Sequence, residues 1–304
     1  MSNRSSSFSE ARSENDLEFI KMQGCGNNFV VTSDFRTPAL PWDRLTIGLM
    51  DRNFGIGGDG VMVLRPANSS KYDFEVLMYN PDGSPMGMCG NGIRCVARFA
   101  MLNELIPPGR EVIHFLVEGR DIACALRDGG NSVMVDMGPP AFEPEAIPVR
   151  SDQPVVNEKI SLAGQDFTVS CVSMGNPHCV IFVPDVEKVD LLALGPKIEN
   201  DPFFPKRTNV EFVQVRSPKE LVVRVWERGA GATLACGTAA CAVIVAASKT
   251  GRTDSSATVI LPGGSVEVEW DQGRNTVYLT GPAKEVFFGR LRIDSFLNGR
   301  THVN

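Results

Sequence analysis

Apolar and polar residues alternate with a period of two along much of this chain, and the alternation breaks at short turn sequences. Residues 74–80 alternate in this way, and residues 112–137 do so in three runs parted by Glu-Gly-Arg and Asp-Gly-Gly. Such runs predict half-buried strands joined by tight turns. The second half of the chain repeats the style over 159–174, 210–227 and 265–281, with turns at Ala-Gly-Gln, Ser-Pro-Lys and Asp-Gln-Gly. Helical spacing is rarer. It predicts amphipathic helices over 42–53 and 186–200. Two further stretches, 96–105 and 242–251, are apolar nearly all round, as a helix enclosed by sheet must be. Lys249 and Gly251 give the last of these a basic final turn and a terminating glycine.

The pattern also repeats at long range. Met88-Cys89-Gly90-Asn91-Gly92 opens one enclosed helix, and Ala235-Cys236-Gly237-Thr238-Ala239 opens the other. Asn27 stands 62 positions before Cys89, and Asn176 stands 60 before Cys236. Asn80 and Glu227 each stand nine positions before their cysteine. With GIGGDG at 55–60 matching KRTNVEF at 206–212, four markers keep order and spacing and imply a duplication with a period of about 149 residues, which is too long for a solenoid and gives ordinary domain sizes. The expected fold is α+β: two similar halves, each a curved, mainly antiparallel sheet wrapped round one central helix, with a cleft between them. Strand-rich meanders with few helices exclude a doubly wound parallel sheet. The expected limits are a disordered tail over 1–17, a first half over 18–137 completed by a returning strand within about 284–304, and a second half over 138–283.

Composition narrows the class without changing that picture. The 304 residues are 43% hydrophobic and 22% charged, which is ordinary for a soluble globular chain. A net charge of −6 argues against nucleic acid or an anionic membrane surface as partner. No apolar run approaches the roughly 20 residues of a membrane span. The Ser-rich N-terminal stretch lacks the apolar core of a secretory signal, so a cytoplasmic location is expected. Eight cysteines with no Cys-x-x-Cys and only three histidines lack the spacing of a zinc site, and neither a metal nor a cofactor is expected. Most of these thiols are expected to be small buried apolar groups.

Cys89 and Cys236 are the exceptions. A helix N-terminus carries free N–H groups and about half a positive charge, which lowers a thiol's pKa and suits it to act as a base. The N–H groups of Gly90, Asn91, Gly237 and Thr238 could hold a carboxylate there. One such loop alone is as well read as a buried cysteine; two matched copies point to a pair of opposed thiols. Asn27, Asn80, Asn176 and Asn209 sit at strand ends, and four such amides suggest polar groups lining a cleft. Arg228 could grip a carboxylate bidentately, and Glu227 could take an ammonium group. His178 could polarise a substrate or steer a proton. Gly55-Ile56-Gly57-Gly58-Asp59-Gly60 fits a dinucleotide fingerprint, but a helical segment precedes it and a strand-like one follows, so a nucleotide site is rejected.

Together the loops KMQGCGNNFVV, RNFGIGGDG, YNPDGSPMGMCGNGIRC, MGNPH, RTNVEF and ERGAGATLACGTAAC resemble those of the diaminopimelate epimerase family over residues 21–241. The resemblance implies a pyridoxal-independent epimerase that interconverts LL- and meso-diaminopimelate in lysine and cell-wall precursor synthesis, and a homodimer. It implies Cys89 and Cys236 as the paired acid and base. Asn27, Asn80, Asn176, Asn209, Glu227 and Arg228 would recognise the substrate, with Gly90, Asn91, Gly237 and Thr238 cradling its carboxylate. His178 and Glu227 would support the thiols. The sequence departs from the family pattern at Cys25, Asn28 and Ala232, and in following Cys236 with Gly-Thr-Ala. The rivals are a proline racemase or hydroxyproline epimerase, whose first loop typically carries Cys-Gly-His, and a non-enzymatic dithiol switch.

Overall fold

The computed structural model describes Ser13 and residues 15–297. Most of the tail expected over 1–17 therefore lies outside the described residues, but a strand already begins at Asp16. In chain order the first half contains β1 (Asp16–Gly24), β2 (Asn27–Ser33), α1 (Trp42–Met50), β3 (Gly60–Pro66), β4 (Phe74–Tyr79), α2 (Gly90–Leu102), β5 (Val112–Val117), β6 (Arg120–Arg127) and β7 (Ser132–Asp136). The second contains β8 (Glu158–Leu162), β9 (Gln165–Ser173), β10 (Pro177–Phe182), α3 (Leu191–Glu199), β11 (Asn209–Ser217), β12 (Glu220–Glu227), β13 (Gly231–Thr233), α4 (Gly237–Lys249), β14 (Ser256–Leu261), β15 (Gly264–Asp271) and β16 (Thr276–Pro282). The chain then runs through β17 (Lys284–Arg292) into a short α5 (Asp294–Leu297).

Each half is a curved sheet around its own helix, α2 in the first and α4 in the second. Most neighbours pair antiparallel, but β2–β3, β4–β5, β10–β11 and β12–β14 are parallel. A parallel pair needs a crossover rather than a hairpin. The four longer helices occupy those crossovers, α1 and α2 matching α3 and α4. β7 pairs with β16 over Asp136↔Tyr278 to Ser132↔Pro282, which joins both sheets into one. The halves also share strands at the other edge. β8 follows the first meander and pairs with β9, whereas β17 follows the second meander and returns to β1.

Two helices are shorter than their periodicity suggests, for local reasons. α1 stops at Met50 because the Asp51 carboxylate accepts the N–H groups of Asn53 and Phe54, at 2.8 and 2.9 Å, and turns the chain out of the helix. The stretch 186–200 splits into a single 3-10 turn over Val186–Lys188 and then α3. Asp190 starts α3 by accepting the Ala193 N–H at 3.0 Å. The enclosed helices carry the main core. Every residue of α4 from Ala239 to Ala247 is buried, as is every residue of α2 from Gly90 to Ala100.

Candidate active site

The two enclosed helices meet head to head. Cys89 and Cys236 are their N-caps, both extended, at φ −113°, ψ 110° and φ −131°, ψ 118°. A β-carbon built on Gly90 would lie 3.8 Å from the Gly237 Cα, so the first turns almost touch and only small residues allow the approach. Both thiols open on a cavity of about 640 Å³ walled by both halves. Cys89 is half-buried, and its Sγ accepts the Gly92 N–H at 3.4 Å and lies 3.9 Å from Asn27 Oδ1. Cys236 is buried, with its Sγ 3.4 Å from Thr238 Oγ1.

Of the residues singled out from the sequence, Asn27, Asn80, Cys89, Gly90, Asn91, Asn176, Glu227, Arg228, Cys236, Gly237 and Thr238 all line this one cavity. Asn91 ties the halves together, its Nδ2 reaching Asn27 Oδ1 and the Ala235 carbonyl, each at 3.4 Å. Asn176 Nδ2 donates to Thr238 Oγ1 at 3.2 Å. Asn80 is held within its own turn by Ser84 and the Pro85 carbonyl, both at 3.1 Å. That turn needs Gly83, at φ +80°, because a β-carbon there would meet the Asp43 carbonyl. Glu227 accepts the Thr233 hydroxyl at 2.5 Å.

Two expected site residues stand behind the wall instead. Asn209 is buried, donates to the Pro177 carbonyl and accepts the Arg228 N–H, both at 2.8 Å, so it braces the chain that carries Arg228. His178 is wholly buried, its Nε2 2.9 Å from Asn176 Oδ1 and its Nδ1 2.7 Å from Glu211 Oε1. Burial pushes the Glu211 carboxyl upward, opposed by His178, and Glu211 Oε2 has no partner.

The expected lowering of the thiol pKa does not hold. Cys89 is raised, chiefly by burial and slightly by Glu227, although the Gly92 and Asn91 N–H groups and Arg94 pull it down. Cys236 is raised further, by burial and then by the Glu227 charge, against Thr238 and the Ala239 N–H. Half a helix charge does not outweigh removal of a thiolate from water. Helix position alone therefore does not prepare either thiol as a base.

Sequence reasoning missed several wall residues. Glu118 and Arg120 reach the cavity from the tight β5–β6 turn, and Met86, Met88, Met137 and Met174 supply its apolar surface. It also missed Arg94, wholly buried beneath the first turn of α2. Arg94 donates to the Gly90 carbonyl at 3.1 Å, the Pro282 carbonyl at 3.2 Å and Asn91 Oδ1 at 2.9 Å. Its signal was an arginine at the fifth position after Cys89, in the first turns of a helix enclosed by sheet.

The family model for diaminopimelate epimerase matches residues 19–143 and 170–286. A diaminopimelate epimerase of Acaryochloris marina is 47% identical over 281 residues, covering 90% of this chain and 98% of its own. One from a Synechococcus strain is 48% identical over 284 residues, covering 90% and 97%. Among solved structures, a hydroxyproline epimerase from Agrobacterium vitis superposes with a TM-score of 0.65 at 16% identity, covering 93% of this chain and 94% of its own. A Bacillus anthracis phenazine biosynthesis protein of the PhzF family gives 0.64 at 13%, covering 91% and 99%. At those identities the likeness shows a common fold alone.

Proposed function

The chain belongs to the diaminopimelate epimerase family, and we propose that Cys89 and Cys236 are the acid and base by which it interconverts LL- and meso-diaminopimelate. It is an isomerase of lysine biosynthesis. The observation that carries the residue assignment is the opposed pair of thiols, one from each half, on two abutting helix starts in one cavity.

In the proposed reaction one thiolate removes the α-proton while the opposite thiol delivers a proton to the other face, and the roles exchange in reverse. The N–H groups of Gly90, Asn91, Gly237 and Thr238 would hold the α-carboxylate and stabilise charge that develops on it, each preorganised donor contributing roughly 3–4 kcal/mol in comparable sites. Glu227 would take the ammonium group beside that centre. Asn80 and Arg228 would receive the polar groups at the far end of the substrate, with Asn209 fixing Arg228 from behind. Asn27 and Asn176 would complete the walls beside the two thiols, and His178 would hold Asn176. Burial disfavours a thiolate at both cysteines, and in the loaded site the N–H groups of the two helix starts would offset that burial.

A cytoplasmic location is part of the proposal. Among the described residues no helix is long and apolar enough to cross a membrane. So is a homodimer. Val286 and Phe287 on β17 are exposed at 58% and 46%, and among the described residues β17 pairs only with β1, leaving an apolar edge suited to a second copy. Val286→Lys should then yield a monomer by light scattering; an unchanged mass would remove this edge from the interface.

The test of function is conversion of LL-diaminopimelate to the meso isomer, with Cys89→Ala and Cys236→Ala alongside. Turnover by wild type and its loss in both variants, with circular dichroism unchanged, is expected. Near-wild-type turnover in either variant would contradict the pairing. Activity on proline or hydroxyproline instead would move the assignment to the rival racemases.

A further inference from the structure

The loop rejected above as a nucleotide site has another role in the folded chain. The residues GIGGDG lie between α1 and β3, and the loop ends against the start of β2, where Asp59 N donates to the Asn28 carbonyl at 2.8 Å. The Asp59 carboxylate then makes three contacts through one oxygen. Oδ2 accepts Asn27 Nδ2 at 2.7 Å, the Asn28 N–H at 2.7 Å and Asn28 Nδ2 at 3.0 Å. A carboxylate only accepts, so it fixes which end of the Asn27 amide faces it. The nitrogen must point to Asp59, and the carbonyl oxygen must point away. That oxygen lies 3.9 Å from Cys89 Sγ and 3.4 Å from Asn91 Nδ2.

On the reading of Cys89 as one of the two proton carriers, we propose that Asp59 is a positioning residue: by holding the Asn27 nitrogen it turns the Asn27 carbonyl toward the Cys89 thiol and the Asn91 amide. A carbonyl beside a sulfur accepts from S–H and opposes the thiolate, whereas an amide N–H there would favour the thiolate. Asp59 therefore helps to keep Cys89 loaded with its proton until the substrate arrives. It also steadies Asn91, whose backbone N–H belongs to the proposed carboxylate cradle.

The second half locks its matching amide with the opposite polarity. With Asn176 Nδ2 donated to Thr238 Oγ1, the Asn176 carbonyl faces His178 Nε2, so its nitrogen is the end aimed at the site. Thr238 Oγ1 in turn lies beside Cys236 Sγ. The charged and titratable groups that face Cys89 are Arg94 and Cys95 from its own helix, Glu227 from β12 and, across the cavity, Cys236 at the start of α4. Glu118 and Arg120 stand in the cavity wall. Behind Asp59 lies Lys21, whose ammonium donates to the Gly57 carbonyl.

Asp59→Ala tests the proposal by removing the carboxylate. Asp59 Oδ2 holds the Asn27 nitrogen, so its loss frees the Asn27 amide to turn its N–H groups toward Cys89. The measurement is the pH dependence of iodoacetamide alkylation at each cysteine of the full chain, without substrate, mapped by peptide mass. The midpoint for Cys89 should fall while that for Cys236 stays at its wild-type value. In the epimerase assay kcat should drop on the order of tenfold to a hundredfold with a smaller change in KM, as for a misplaced catalytic group. Asn27→Ala, which removes the carbonyl itself, should lower the Cys89 midpoint in the same direction. Asn28→Ala, which leaves the Asp59–Asn27 bond, should not. Cys89 midpoints unchanged in both Asp59→Ala and Asn27→Ala would overturn the proposal. So would equal shifts at both cysteines with a lowered melting temperature, the signature of a loop tie alone. The alkylation arm needs no diaminopimelate, so it separates a failure here from a failure of the epimerase reading.

Discussion

Cys89 and Cys236 cap their helices with the same extended backbone, yet a buried guanidinium lies under the first and a carboxylate stands beside the second. The fifth residue after each thiol shows how the duplication diverged: Arg94 in α2 and Cys241 in α4. In the first half Arg94 favours a thiolate at Cys89 while the Asn27 carbonyl opposes it. In the second half Glu227 opposes a thiolate at Cys236 while Thr238 and the Ala239 N–H favour it. The nearest charge thus acts with opposite sign in the two halves, while the N–H groups of the helix starts favour a thiolate in both. The lesson is that a shared backbone makes two thiols reach one site, and unlike neighbours let them hold protons differently.

The most severe break of that comparison is removal of either thiol. Cys89→Ala and Cys236→Ala should each lower turnover by about a hundredfold to ten-thousandfold, the usual loss of a positioned acid or base, read by conversion of the LL isomer. A loss confined to one variant would mean that one half alone does the chemistry. Next come the charges. Arg94→Met removes the cation beneath Cys89, so the Cys89 alkylation midpoint should rise while the Cys236 midpoint stays. Glu227→Gln should lower the Cys236 midpoint, and the Cys89 midpoint less, because the Glu227 charge weighs more heavily on Cys236 than on Cys89. Midpoints that move together in both variants would dissolve the asymmetry.

Much of the fold was legible because the meanders are local. β5–β6–β7, β8–β9, β11–β12 and β15–β16 each close through short turns, and their alternation is read directly. The parallel pairs were not legible, since Phe29 meets Gly60 and Glu220 meets Thr258 across a whole crossover. In the site the same distinction holds. The thiols and Glu227-Arg228 lie in short motifs whose residue types announce their chemistry. Asp59 and Glu211 act through partners supplied by distant segments, which spacing does not identify. The thiol pKa went wrong for a related reason: a helix start is local, whereas burial is set by both halves at once.

A smaller effect concerns the core rather than the site. Burial lifts Cys95 from the ordinary 9.0 to about 12. Its folded value lies above its unfolded one, so the stability it contributes is complete below about pH 9 and is lost as pH rises toward 12. Denaturant melts should therefore show stability falling across that window, and Cys95→Ala should flatten the fall. A slope unchanged by the substitution would place the alkaline loss elsewhere.

The central claim is that the proton leaves to one thiol and arrives from the other. Its most direct measurement is the early-time partition of deuterium when LL-diaminopimelate turns over in deuterated water. A thiol carries a single proton and exchanges it with solvent. Two opposed thiols therefore predict α-deuterium in the first meso product, while the unreacted LL substrate stays protonated. Deuterium entering the LL pool as fast as the meso product would instead mean that one group removes and returns the proton, and the two-thiol assignment would be wrong.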